Sequence, residues 1–121
     1  MAERNDIGKA GEAEARAWLL KHGYAILHSN WRWHRYELDI VASKDNVLAV
    51  VEVKTRSVGY WLSPEESVDF KKIRRIVAAS DAYVRKYNIN LPVRFDIITV
   101  IRDKAHYEIE HIEDAFYAPC R

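Results

Sequence analysis

The stretch LAVVEVKTR, residues 48–56, opens with four apolar residues and then alternates charge, valine, charge at Glu52, Val53 and Lys54. An unbroken apolar run has no side to turn to water, so Leu48 to Val51 read as a buried strand. Glu52 and Lys54 are two residues apart, and in a strand they share one face. A carboxylate and an ammonium together at the end of a core strand mark the place where core gives way to the rim of a cleft.

The preceding segment YELDIVAS, residues 36–43, is also apolar and interrupted by acids, and Lys44-Asp45-Asn46 reads as a turn. In an antiparallel hairpin, facing residues have a constant sum of residue numbers. A two-residue turn at Asp45-Asn46, or a four-residue loop over 44–47, sets that sum to 91. Asp39 then faces Glu52 and Glu37 faces Lys54, all four on one side of the sheet. A three-residue loop shifts the register by one and puts Asp39 opposite Val51 instead. Directly opposed Cβ atoms stand roughly 4.5–5.5 Å apart, close enough for two carboxylates to repel. Three arrangements relieve the repulsion: a protonated carboxyl with a raised pKa, Lys54 bridging both acids, or a divalent cation between them. Hard cations such as Mg²⁺ take carboxylate and water oxygens plus a phosphate ligand. Such an ion with Lys54 alongside supplies phosphodiester hydrolysis, by acidifying a water and stabilising charge on phosphorus. The plainer alternative is a Glu37–Lys54 ion pair, with Asp39 and Glu52 reaching solvent.

Around this hairpin the chain reads α-β-β-β-α-β-β. Residues 6–22 form a helix with Gly8, Glu12, Ala15 and Leu19 on one stripe, ended by Gly23. Residues 24–34 are an aromatic-rich strand. Ser63, Pro64 and Glu66 resemble a helix start, and Asp69 is a second candidate cap. The second helix covers 69–87, with Ile73, Ile76, Val77, Ser80, Val84 and Tyr87 as its core stripe. Strands follow at 93–102 and 106–112. A three-stranded meander, a crossover helix and further strands make a mixed five-stranded sheet flanked by helices, an α/β fold.

The 121 residues suit a single domain, residues 1–121. Charged residues are 31% and apolar ones 49%, the composition of an ordinary globular protein. A net charge of +1 means that nucleic-acid affinity has to come from a local basic patch. Cys120 is the one cysteine, which excludes an internal disulfide and a thiolate metal site. The N-terminal stretch has no apolar run long enough for a signal peptide or a membrane span, so the expected location is cytoplasmic, with no membrane partner.

Five segments, GKAGEAEARAWL, YELDIVAS, VVEVKTR, SPEESVDFKKIRRI and RFDIITV, occur in the order and at the spacing of the YraN-type family of small bacterial proteins. The resemblance covers about residues 5–101. That family is similar to archaeal Holliday junction resolvases and to the PD-(D/E)XK, restriction-endonuclease-like, superfamily. The resemblance implies a metal-dependent nuclease core. Asp39 matches the superfamily aspartate, Glu52 and Lys54 the E-x-K pair, Glu12 the additional helical acid of the resolvase branch, and Lys72 a basic position of the following helix. Tyr36 departs from the pattern, which usually has glycine there.

The resulting expectation is hydrolysis of DNA phosphodiester bonds, on branched or structured DNA, with Asp39, Glu52 and Lys54 catalytic. Glu12, Asp39 and Glu52 would hold Mg²⁺ or Mn²⁺. Lys9, Arg56, Lys72 and Arg75 would contact the nucleic acid, and a homodimer follows by analogy with resolvases. The alternatives are a non-cleaving nucleic-acid-binding module of the same fold, or a structural protein in which the charges form an ion-pair cluster. Glu12 has the further reading of a solvated helical acid, and the basic face Lys71, Lys72, Arg74 and Arg75 that of a solvated surface. Trp31, Trp33 and Tyr36 suit either core packing or stacking on unpaired bases. Gly8 and Gly11 suit close helix–sheet packing. Asp96 suits a supporting hydrogen-bonding role.

Overall fold

A computed structural model describes residues 2–57 and 69–118, with side chains from residue 8 onward. The elements are α1 (Ala2–Lys21), β1 (Ala25–Trp33), β2 (Tyr36–Lys44), β3 (Val47–Ser57), α2 (Phe70–Lys86), β4 (Val93–Asp103) and β5 (His106–Phe116). The strands form one sheet in the order β1-β2-β3-β4-β5. Only β3 and β4 pair in parallel, because α2 carries the chain between them; the other neighbours are antiparallel.

Among the described residues, each face of the sheet is covered by one helix. Ala15 and Leu19 of α1 are buried against Ile40, Ala42, Ala49, Val51, Ile98 and Val100. Ile76, Ala79 and Tyr83 of α2 close the other core with Leu38, Val41, Leu48, Val50, Phe95 and Ile97. Unbroken apolar runs in the central strands follow from this cover on both sides. The expected start of a helix at Ser63, Pro64 and Glu66 lies outside the described residues. Asp69 is the N-cap of α2, its carboxylate accepting from the Lys72 backbone N–H at 2.8 Å. Gly23 has φ +87 and ends α1 as expected.

Two expected packing details differ. The buried stripe of α2 passes through Tyr83, while Tyr87 is exposed. Tyr83 is buried in the core on the α2 side, meets Trp31 edge-on at 5.1 Å and is hydrogen-bonded to His28 Nδ1 at 2.7 Å. Gly11 does permit close packing, since a Cβ there would collide with Thr55 Oγ1, whereas Gly8 has nothing within 4 Å of such an atom. No helix among the described residues is long and apolar enough to cross a membrane.

Candidate functional site: a carboxylate and lysine cleft

The β2–β3 register follows the even-loop expectation, running from Lys44–Val47 to Ile40–Val51. There the ladder stops. Asp39 does not pair with Glu52 across it; its Oδ2 instead accepts the Val53 N–H at 2.9 Å. The expected Glu37–Lys54 contact is replaced as well, because Glu37 pairs with Arg32 of β1 at 3.1 Å.

The opening has a local cause on the other side of β2. The β1–β2 ladder runs through Ser29–Ile40 and Trp31–Leu38 and leaves out Asn30 and Asp39. Asn30 has φ +51, a left-handed conformation that asparagine tolerates better than most residues. Side-chain alternation slips at the same level: Leu38 packs on the α2 side and Ile40 on the α1 side. Asp39 is therefore freed from the regular pleat and turned into the gap between β2 and β3.

That gap is a cleft of about 720 Å³, lined by Gly8, Lys9 and Glu12 of α1, Asn30 and Arg32 of β1, Glu37 and Asp39 of β2, Glu52 to Thr55 of β3, and Lys72 of α2. Glu12, Asp39, Glu52, Lys54, Lys9 and Lys72 thus meet in one place. Arg75 lines an adjoining hollow that shares Glu37, Asp39 and Lys72 with the cleft. Arg56 is half-buried on β3, one residue beyond Thr55, the last β3 residue in the wall. Asn30, like Thr55, is a polar lining residue that the sequence reading passed over. Its signal is a polar, turn-favouring residue inside an otherwise strand-like aromatic run.

The electrostatics are those of crowded acids. Burial, the Glu52 charge and the Glu12 charge push the Asp39 carboxyl up to about 7, against the opposing pull of the Val53 N–H and Lys72. Glu12 is also raised, mainly by burial and further by Glu37 and Glu52, with a hydrogen bond to Asn30 acting the other way. Glu52 is buried and accepts from two ammonium groups, Lys72 Nζ at 2.9 Å and Lys54 Nζ at 3.5 Å. The two lysines shift in opposite directions. Burial lowers the Lys54 pKa and the neighbouring Lys72 charge adds to that, outweighing Glu52. For Lys72 burial also acts downward, but Glu52 overcomes it and the net shift is up.

Hard oxygen donors on three separate elements are the donor set a small divalent cation takes. In the present arrangement the ammonium of Lys72 holds Glu52, and no three His, Cys, Asp or Glu side chains among the described residues are gathered tightly enough to ligate one ion together.

Asp96 lies outside the cleft and satisfies the supporting role. Fully buried, it accepts from Arg94 Nε and Nη2 at 2.8 Å each, from the Asp114 N–H at 3.2 Å, and bonds His111 Nε2 at 2.8 Å. Burial works to raise its pKa, but these partners win and hold it below the usual value.

Residues 11–100 match the family model described as Uncharacterised protein family UPF0102. The chain is 67% identical to a UPF0102 protein of Parabacteroides distasonis, with all of both chains covered. It is 56% identical to one of Bacteroides thetaiotaomicron over 98% of each chain. To one of Flavobacterium psychrophilum it is 47% identical over 97% of this chain and 98% of the relative. Agreement along nearly the whole length, and not at the cleft motifs alone, places this chain in the UPF0102 family, the YraN-type proteins its motifs resemble.

Proposed function

We propose that the protein is a metal-dependent nuclease of the restriction-endonuclease-like, PD-(D/E)XK kind, hydrolysing phosphodiester bonds of branched or structured DNA. The observation that carries this reading is the convergence of Glu12, Asp39, Glu52 and Lys54, from three elements, on one cleft. Glu12, Asp39 and Glu52 would hold Mg²⁺ or Mn²⁺, which when bound supplies an acidified water and charge stabilisation at phosphorus. The chain's own contribution is separable from that. Asp39 and Glu52 concentrate negative charge where a cation is wanted. Lys54, its pKa lowered by burial, sits beside them to orient a water or neutralise a phosphate oxygen. Lys9 and Lys72 at the rim, with Arg75 beyond it, would bind backbone phosphates without reading sequence. A junction offers two related strands, which favours a homodimer as the acting unit.

Junction, flap and linear DNA incubated with Mg²⁺ or Mn²⁺ test this directly. Cleavage is expected on a branched substrate. Asp39→Ala should reduce it by at least about a hundredfold, the scale on which one charge-stabilising group acts. Cleavage that survives Asp39→Ala overturns the assignment.

One observation favours a second reading. The Lys72–Glu52 contact at 2.9 Å fills the acid's coordination with an internal cation. In a non-cleaving DNA-binding module that contact is permanent. Binding that weakens steeply with salt, with no cleavage under any divalent cation, would select this reading.

A further inference from the structure

The tip of the β1–β2 hairpin builds a hollow that the hydrolysis chemistry does not use. It measures about 690 Å³, within the roughly 300–1,000 Å³ that small-ligand sites occupy. Its wall comprises Trp33 and Tyr36, the turn residues His34 and Arg35, and Lys72, Arg75 and Ile76 of α2, and it adjoins the cleft, with which it shares Glu37, Asp39 and Lys72.

We propose that this hollow receives one unpaired nucleotide of the DNA strand whose neighbouring phosphate lies in the cleft. The inference rests on the nuclease reading of the cleft and deepens it, naming the substrate as DNA with splayed or single-stranded arms.

Trp33 pairs with Tyr36, so the hairpin closes through two residues, His34 and Arg35, with His34 at φ +57. Directly paired positions bring the Trp33 and Tyr36 rings to 5.8 Å, and the His34 ring to 4.5 Å from Trp33. The aromatic wall is therefore fixed by backbone geometry before any ligand arrives. Both large rings are only half-buried. Flat, partly exposed rings take the face of a base, and they do so for any base.

The cations supply the other half of a nucleotide. Arg75 follows Lys72 by three residues, so α2 presents one cation to both cavities and a second to the hollow about 4.5 Å further along its axis. Arg35 adds a third from the turn, exposed to solvent. Of the two acids in this wall, Glu37 is already paired with Arg32, and Asp39 accepts the Val53 N–H. Aromatic faces with neighbouring guanidinium groups suit a base joined to a phosphate. A base inside a duplex has both faces covered by its neighbours, so only an unpaired one can enter.

The test is equilibrium binding, read by fluorescence anisotropy in EDTA so that cleavage plays no part. The probes are a blunt duplex and the same duplex ending in a fork of unpaired thymidine arms. The wild type is expected to bind the fork about tenfold more tightly, equivalent to ~1.4 kcal/mol and within the range of one stacked base. Trp33→Leu should bring the two affinities together, Trp33→Phe should restore the preference, and Arg35→Gln should reduce it. Equal affinity of the wild type for both probes overturns the proposal, as does an undiminished fork preference in Trp33→Leu. Should Trp33→Leu fail to fold, an undiminished preference in Arg35→Gln, an exposed turn position, overturns it equally. Fork preference without cleavage would sink hydrolysis and leave the hollow standing. Cleavage without fork preference would do the reverse.

Discussion

Asp39 is the residue on which site and stability pull against each other. Its carboxyl is raised from an ordinary 3.8 to about 7, so ionising it in the fold is unfavourable. The sign follows from proton linkage. Its contribution to stability is complete below about pH 4, falls as pH rises, and is gone above about pH 7. A rise of that size corresponds to ~4 kcal/mol as a ceiling. Asparagine keeps an oxygen to accept from the Val53 N–H and carries no charge. Asp39→Asn is therefore expected to stabilise the protein by roughly 1–3 kcal/mol at about pH 8 and by little at about pH 4, measured by urea denaturation. A difference that does not change with pH would refute this account of Asp39. Added Mg²⁺ should stabilise the wild type at the higher pH and leave the asparagine variant unmoved.

Among the elements, α1 and β3 show how closely the cleft's walls are drawn together. Gly11 of α1 faces Thr55 of β3, with Thr55 Cβ 3.3 Å from where an added Cβ would stand, and Thr55 Oγ1 closer still. Gly11→Ala should be destabilising by roughly 1–3 kcal/mol, as for other overpacked contacts, although alanine favours a helix over glycine by about 1 kcal/mol. Gly8→Ala, three residues earlier with open space around it, should instead stabilise by about 0.5–1 kcal/mol. Thermal melts of the two variants check both signs, and a Thr55→Ala background should relieve the first. The same scale shows what could be read in advance. Strict apolar runs and capping residues made the order of helices and strands legible, and the even turn at Asp45-Asn46 made the β2–β3 register legible as far as Ile40–Val51. The Asp39–Glu52 and Glu37–Lys54 facings were not legible, because they assumed that the ladder continues. Its end coincides with the left-handed Asn30 on the opposite neighbour of β2, beside which Glu37 pairs with Arg32. The buried stripe of α2 was misread at Tyr83 and Tyr87 for a similar reason. Helical periodicity fixes a face only to within a turn; Tyr83 lies over the sheet core, while Tyr87, touching the same His28 and Trp31, caps the end of α2 and stays exposed.

At the scale of the whole molecule, the acids divide between two surroundings. Asp96 has an arginine, a histidine and a backbone N–H around it and is held charged. Asp39, Glu12 and Glu52 are crowded together; Glu52 is held by two lysines, whereas Asp39 and Glu12 are pushed toward neutrality. It is this contrast between one satisfied acid and others in conflict that the proposed metal site draws on. Convergence of Glu12 with the hairpin acids was legible only through the family motifs, since nothing local in α1 says where its first turns dock.

The parallel pairing of β3 with β4 extends from Leu48–Val93 to Ser57–Arg102, past every β3 residue of the cleft. The facing wall has no such backing, because β2 leaves β3 after Ile40 and continues only with β1. The cleft is therefore a jaw backed unequally, the β3 wall by a continuous backbone ladder and the arm from Trp31 to Leu38 by its own hairpin and by side chains packed on α2. Amide hydrogen exchange should record the asymmetry, with residues 31–38 opening together and faster than 52–55. Equal protection of the two walls would show the jaw to be rigid. Whatever enters the cleft therefore meets Glu52 and Lys54 on the wall held by backbone pairing and Asp39 on the wall held by side-chain packing.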